Sequence, residues 1–562
     1  MTDLLAEFSA AGVLAEADLH VAQRITLLGG EADGAVALAV ALAVRALRGG
    51  SVCVDLPTVA DEVGAADLPW PSPDGWLAAV EASSLHGNAF HLYDGRLLYL
   101  DRYWREEELV AQDLLALAAS SASEITEAAL DRLFPSDFTE QRSAAQTALS
   151  QSVTVLTGGP GTGKTTTVAR LLALIAEAED RPRIALAAPT GKAAARLQEA
   201  VAAEVANLDV VDRDRLGELQ AVTLHRLLGS RPDSSGRFRH HRGNRLPHDV
   251  IVVDETSMVS LTMMARLLEA VRPEARLILV GDPDQLASVQ AGAVLADLVD
   301  GMSGRDDLRV AALTTPHRFG KSIGRLAEAI RTGDADRTLQ LLRAGDEHIE
   351  FVESDNAAGR LREVLLPHAL RVREAAVIGA GGIAVLTLGE HRLLCAHREG
   401  PSGVSHWNAQ VQRWLTEATG QAMWSPWYAG RPLLVTANDY GLGLYNGDTG
   451  VVVAAREGLR AQIGSVDVAT GRLGDVETMY AMTIHKSQGS QAKEVTVLMP
   501  HEDARLLTRE LFYTAVTRAK EKVRVVGTES SVRAAVERRA VRASGLARRL
   551  RARLNPEVPT SG

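Results

Sequence analysis

The 562-residue chain is several times the length of an average domain, which sets an expectation of about three or four folding units instead of one core. A composition of 46% hydrophobic and 23% charged residues excludes disorder as the main state, and a net charge of −11 excludes a protein that coats nucleic acid by bulk attraction. Cys53 and Cys395 stand far apart without His or Cys at ligand spacing, so neither a disulfide framework nor a zinc or iron–sulfur centre is expected.

Residues 1–115 alternate amphipathic segments with Gly-bearing turns and carry no chemical motif. They are expected to form a separate, mainly helical domain. The opening MTDLLAEFSAAG has no basic n-region, and the apolar run 35–44 is about half a membrane span, which points to a cytoplasmic, unprocessed protein. Residues 119–127 read as a linker and 136–149 as a polar-capped helix. From Val153 the texture changes. The runs VTVLT, IALAA, VIVVD and LILVGD end in Gly, Pro or Asp and alternate with helical segments, the pattern of a parallel sheet covered on both faces. The fold class expected is therefore α/β, with doubly wound parallel sheets: one over 116–333 and a second over 334–562. The second would hold a small β-barrel insertion at 432–478, where Gly-punctuated alternating segments recur. Residues 231–245, with five Arg and two His, read either as a nucleic-acid contact loop or as a solvated surface loop.

GGPGTGKT follows the strand VTVLT and opens the helix after it, the context a phosphate-binding loop requires. Gly158, Gly159, Gly161, Thr162 and Gly163 would let backbone N–H groups approach phosphate oxygens. Lys164 would reach the β and γ oxygens, with Thr165 supplying a hydroxyl to magnesium and Thr166 beside it also binding the nucleotide. ATP and Mg2+ are the cofactors expected. In VIVVDETSM, Asp254 and Glu255 emerge at the C-terminal edge of the same sheet, Asp254 to hold the metal and Glu255 to polarise the attacking water. Gln285, in LILVGDPDQL, is placed to sense the γ-phosphate, since an amide both donates and accepts. Arg318 and Arg518 occur in contexts suited to stabilising phosphoryl-transfer charge, although the spacing alone does not decide either.

The ordered set of motifs resembles the superfamily-one helicases that travel 5′ to 3′, and within them the RecD family. The likeness spans about three-quarters of the chain, from TEQRSAAQTAL through APTGKAAARL, TLHRLLG, REGPSGVSHWN, NDYGLGLYNGDTG and AMTIHKSQGSQ to ASGLARRL. It implies two RecA-like motor domains, the inserted barrel being SH3-like, and an N-terminal domain docked on a partner. It implies Gln141 as adenine reader and Thr190, Lys192, Thr223, His225, Thr483, His485 and Gln488 as contacts to a single DNA strand. It further implies an ATP-dependent 5′-to-3′ helicase subunit of an exonuclease V complex, with RecB-like and RecC-like partners, acting at double-strand break ends in recombinational repair. No spaced Asp, Glu and Lys set suggests a nuclease, so cleavage would reside in the RecB-like partner.

Three alternatives stay open. A free-standing helicase of the same type would normally carry a longer N-terminal extension than the stretch before Gln141. A P-loop ATPase that regulates protein assembly would turn over ATP indifferently to DNA. A scaffold with a decayed motor sits poorly with Lys164, Asp254, Glu255 and Arg518 all present. Trp407, Trp414, Trp424, Trp427 and Tyr428 lie close in sequence and read as packed core aromatics before a base-stacking platform.

Overall fold

The computed structural model describes residues 2–117, 127–179, 181–231, 234–303, 310–315, 321–354, 358–423, 425–439 and 441–554. At the N-terminus, helices Thr2–Ala10, Glu16–Gly29 and Gly34–Arg48 pack with a three-stranded antiparallel sheet. Its strands β1 (Val54–Asp55), β2 (Phe90–Tyr93) and β3 (Leu97–Leu100) lie in the order β1-β3-β2. The apolar run 35–44 belongs to helix Gly34–Arg48, buried without interruption from Val36 to Val44 because it is hydrophobic all round. Among the described residues no helix is long and apolar enough to cross a membrane.

The first large sheet contains β4 (Val153–Gly158), β5 (Ile184–Ala188), β6 (Ala221–Thr223), β9 (Val250–Val253), β10 (Arg276–Gly281) and β11 (Val310–Leu313). A short hairpin, β7 (Ser230–Arg231) with β8 (Ser234–Phe238), follows β6. The six strands run parallel in the order β11-β4-β10-β9-β5-β6. The apolar runs of the central strands β9 and β10 are buried on both faces, as the helices on each side demand.

The second sheet is also parallel. It orders β12 (Ile349–Glu353), β21 (Ala519–Gly527), β20 (Ala492–Leu498), β13 (His391–Cys395) and β19 (Ala481–Thr483). Between β13 and β19 the chain builds a five-stranded antiparallel sheet from β14 (Pro432–Val435), β15 (Thr449–Ala455), β16 (Gly458–Ile463), β17 (Val466–Ala469) and β18 (Val476–Thr478). Leu433, Val452, Ala461, Ile463 and Val468 form its core, the inward half of the period-two alternation. Trp407, Trp414 and Tyr428 are buried beneath the second parallel sheet, while Trp424 lies outside the described residues.

Two helices stitch these parts together. Helix Asp101–Leu117 runs beyond residue 115, and its Val110, Ala111, Leu114 and Leu117 join the core of the first parallel sheet. Helix Leu546–Leu554 returns from the second sheet and packs on Val294–Met302 beside Asp101–Leu117. At that joint the buried Glu107 carboxylate accepts hydrogen bonds from Tyr99 Oη at 2.9 Å, Arg549 Nε at 2.8 Å and Ser544 Oγ at 3.2 Å. The Arg549 guanidinium stacks 3.9 Å above Trp104, so the buried charge is both paired and covered by an aromatic face.

Candidate active site

Three neighbouring strands of the first sheet, β4, β10 and β9, end at one edge, and each delivers polar residues there. After β4 the chain makes a tight loop into helix Lys164–Ala178. Gly161 and Gly163 hold φ of 84° and 88°, a left-handed conformation that glycine adopts without steric cost. A Cβ on Gly159 would lie 3.0 Å from Tyr513 Oη, so that glycine also preserves a close approach between the two halves of the molecule. The Lys164 ammonium folds onto its own loop, donating to Gly158 O at 2.6 Å and Gly159 O at 2.9 Å. Thr162 Oγ1 donates to Gly159 O at 2.9 Å, and Thr166 Oγ1 donates to Glu204 Oε1 at the same distance.

Asp254 and Glu255 follow β9. Glu255 takes φ 50°, an uncommon backbone state for a residue with a Cβ, which turns the chain sharply at the sheet edge. Burial pushes the Asp254 carboxyl up to about 6, reinforced by the adjacent Glu255 and opposed by Lys164 and Arg196. After β10, Asp282 is buried and raised by desolvation. Lys164 opposes that shift, as do the hydrogen bonds Asp282 accepts from Gln285 Nε2 at 2.9 Å and Tyr513 Oη at 3.1 Å.

The second sheet supplies the opposite wall. Arg518, buried at the end of helix Arg509–Val516, donates from Nη2 to Gln285 Oε1 at 2.8 Å and from Nε to Thr514 O at 3.0 Å. Burial lowers its affinity for the proton, with Glu255 acting in the other direction. Lys164, Thr165, Thr166, Asp254, Glu255, Gln285 and Arg518 thus line one open cleft of about 870 Å³ with Gly161 and Gly163. Gly158, Gly159 and Thr162 border an adjoining cavity of about 770 Å³ whose far wall holds Arg325, Glu328, Arg331 and Tyr513. Gln141 is buried behind the loop, its Nε2 donating to Thr162 O at 3.4 Å. Arg318 lies outside the described residues.

The residues fit a nucleoside triphosphate with a divalent ion. The helix N-terminus and the loop N–H groups face an open space, an ammonium sits in it, and carboxylates flank it. Among the described residues no three His, Cys, Asp or Glu side chains converge as a ready-made metal cage. Magnesium would therefore depend on Thr165, Asp254 and the substrate's own phosphate oxygens, the usual arrangement for that ion.

Of the seven residues expected on a DNA strand, Thr190, Lys192, Thr223 and His225 stand at the C-terminal ends of β5 and β6 on the same edge of the first sheet, and Thr483, His485 and Gln488 at the end of β19 in the second. Thr223 and Thr483 end parallel strands and Thr190 follows β5 by two residues; each caps the helix that follows, accepting from Arg226 N, Lys486 N and Ala193 N at 3.2 Å apiece. His225 and His485 follow Thr223 and Thr483 by two residues, in equivalent places in the short helices after edge strands β6 and β19. Burial holds both imidazoles below their ordinary range. Lys192, lowered to about 8 by burial and then by Arg392, reaches Gly447 O at 3.0 Å in the antiparallel insertion. Gln488 stands apart: it is buried and spends its Nε2 on Leu286 O at 2.7 Å. In the loop 231–245, Arg242 pairs with Asp113 at 2.7 Å and Arg245 donates to Val271 O, so at least two of its cations hold the fold.

Three family models match the chain: the RecBCD enzyme subunit RecD N-terminal domain over residues 10–93, an AAA domain over 141–291, and a UvrD-like helicase C-terminal domain over 478–526. A RecBCD enzyme subunit RecD of Mycobacterium tuberculosis is 71% identical over 97% of this chain and 96% of its own length. The chain belongs to the RecD family. A second RecD, from Mycolicibacterium smegmatis, is 68% identical over 96% of this chain and 98% of its own length. An ATP-dependent RecD2 DNA helicase of Deinococcus radiodurans is 34% identical over 74% of this chain and 52% of its own. Among solved structures, a Pif1 helicase from Candida albicans covers 75% of this chain and 99% of its own, at 15% identity and a TM-score of 0.39.

Asp282, Tyr513, Arg196 and Glu140 were not singled out in the sequence. Asp282 had a signal, since it follows β10 as Asp254 follows β9. Glu140 precedes Gln141 and accepts from the Thr314 and Thr315 amides at 2.9 and 3.1 Å; burial pushes it up, but these and the hydroxyl bonds bring it down to about 2. Tyr513 and Arg196 owe their place to contacts between the two halves.

Proposed function

We propose that this RecD-family chain is the ATP-dependent 5′-to-3′ DNA helicase subunit of a RecBCD-type exonuclease, driven by the cleft between its two parallel sheets. One observation carries the reading: Arg518 from the second sheet meets Gln285 from the first at 2.8 Å, in the same cleft as Lys164. A group anchored in one half and aimed at chemistry in the other makes nucleotide state and domain closure a single variable.

On this reading the triphosphate lies on the loop 158–165, with Gln141 behind it towards the base. Lys164 leaves its loop carbonyls for the β and γ oxygens. Thr165 and Asp254 would hold Mg2+, which when bound neutralises phosphate charge. Glu255 orients and accepts a proton from the attacking water, while Gln285 touches the γ-phosphate and Arg518 stabilises the charge that develops during transfer. Thr190, Thr223 and Thr483 sit at the ends of parallel strands in both halves, where helix N-termini and their caps suit phosphates of one DNA strand. Alternate tightening of the two edges would advance the chain along that strand. The antiparallel insertion, which we take to be SH3-like, would bear on it through Lys192. Residues 1–115 would form the docking domain for a RecC-like partner, 116–333 and 334–562 the motor domains, with nuclease activity left to a RecB-like subunit.

The match of residues 10–93 to the RecD N-terminal domain supports the subunit reading over a free-standing helicase. Lys164→Gln in the full chain is expected to lower ATP turnover by at least about 10²-fold, the range for losing a group that acts on the transition state, with an unaltered melting temperature. Retained turnover would remove the cleft as the active site. Unwinding of 5′-tailed and not 3′-tailed duplex, by the chain co-purified with its partners, tests direction and assembly together. Efficient unwinding by an isolated monomer would reject the subunit.

A further inference from the structure

Arg196 lies in the APTGKAAARL segment, beyond Thr190 and Lys192, and no task has been assigned to it above. It projects from helix Gly191–Ala206, whose first turn is capped by Thr190 two residues after β5, and its guanidinium crosses the cleft. Nη1 donates to Gly489 O at 2.5 Å, and Nη2 approaches Gln491 Oε1 at 3.5 Å. Gly489 belongs to the second half and holds φ 67°, in the left-handed region where its carbonyl can turn toward the first.

The loop 488–491 is gripped at its other end too. Gln488 Nε2 donates to Leu286 O at 2.7 Å, and Leu286 is the neighbour of Gln285. Leaving the loop, Ala492 N donates to Arg518 O at 3.1 Å. A short loop next to the strand-contact cap Thr483 is therefore bonded to the first half at two points and to the backbone of Arg518 at a third. Arginine suits the first point because its planar fork reaches a carbonyl and an amide oxygen together, whereas a lysine ammonium would serve only one.

We propose that Arg196 is a positioning residue for the motor step: by holding Gly489 across the cleft it couples the strand-contact loop and Arg518 to helix Gly191–Ala206, so that closure on nucleotide moves the DNA strand. The proposal rests on the helicase reading above. Arg196 acts here through the loop and not as a ligand of the phosphates.

The test uses the full chain carrying Arg196→Ala, Arg196→Lys, Gln488→Ala and the Arg196→Ala/Gln488→Ala pair, each first shown to melt like the unaltered protein. ATP turnover is measured with and without oligo(dT), together with KM for ATP and the nucleotides advanced per ATP. Arg196→Ala is expected to cut the DNA-stimulated kcat by about tenfold, the scale of one charge-assisted hydrogen bond, and to lower the advance per ATP, with KM for ATP nearly constant. Arg196→Lys should recover part of both. The double variant should be no worse than the poorer single one, because the two residues work through one loop. A tenfold rise in KM with stimulation intact would make Arg196 a phosphate ligand and overturn the proposal. Fully additive losses, or no change in stimulation and advance, would overturn it as well. Turnover by the unaltered chain that ignores oligo(dT) would instead remove the helicase reading, and the coupling with it.

Discussion

Arg518 and Gln285 lie 233 residues apart in sequence and 2.8 Å apart in space, while Lys164 and Asp254 gather at the same cleft from the ends of β4 and β9, which flank β10. The physical role proposed for Arg518 is to meet charge as it develops, so its removal should spare binding and slow chemistry. Arg518→Ala is expected to reduce ATP turnover by about 10³-fold, the lower end for an arginine that stabilises phosphoryl transfer. Nucleotide affinity, read by a fluorescent ATP analogue, should change little; a turnover unaffected by the change would take Arg518 out of the site. The phosphate loop was legible in sequence because a strand, a glycine run and a helix follow one another without interruption, and geometry over eight residues is local. The bond from Tyr513 to Asp282 was not, because a hydroxyl's partner 231 residues away leaves no periodic trace.

The sequence pattern also marked most elements, since period-two and continuous apolar runs report directly on which faces are buried. It did not show what the last helix does. LARRLRARL is rich in arginine, and Arg549 is buried on Glu107, while Arg553 and Arg549 both pair with Glu108. The turn before it allows this. A Cβ on Gly545 would collide with Tyr99 Oη and stand 3.0 Å from Glu107 Oε1. Gly545→Ala is therefore expected to cost ~1–3 kcal/mol, the usual range for overpacking, as a lowered midpoint in urea denaturation at unchanged slope. An unshifted midpoint would mean that the C-terminal helix contributes nothing to holding the N-terminal part in place.

Across the whole molecule, that joint makes stability depend on pH. Asp297, on helix Val294–Met302, is pushed up to about 8 chiefly by burial. Ser544 acts against this, while Glu107 and Asp300 add to it. Its folded-state pKa lies above the ordinary 3.8, so the folded chain holds a proton that the unfolded chain has released. The stabilisation is present in full below the unfolded value and is lost as pH rises towards and through about 8. Thermal melts of the unaltered chain and Asp297→Asn, compared between mildly acidic and mildly alkaline buffer, should show the variant losing less stability on going alkaline. Identical pH profiles would exclude Asp297 as the source.

By itself the sequence determined the α/β class, two parallel sheets, the phosphate loop and the order of motifs that marks the RecD family, because each is written in contiguous residues whose spacing mirrors backbone geometry. Tertiary structure decided which strand ends share a cleft, which arginine faces which amide, and that Gln488 holds the two halves together. It also decided that the last helix returns to clamp the first domain. Those facts depend on residues hundreds of positions apart being brought within hydrogen-bond distance, and only the packing of one sheet against the other sets that distance.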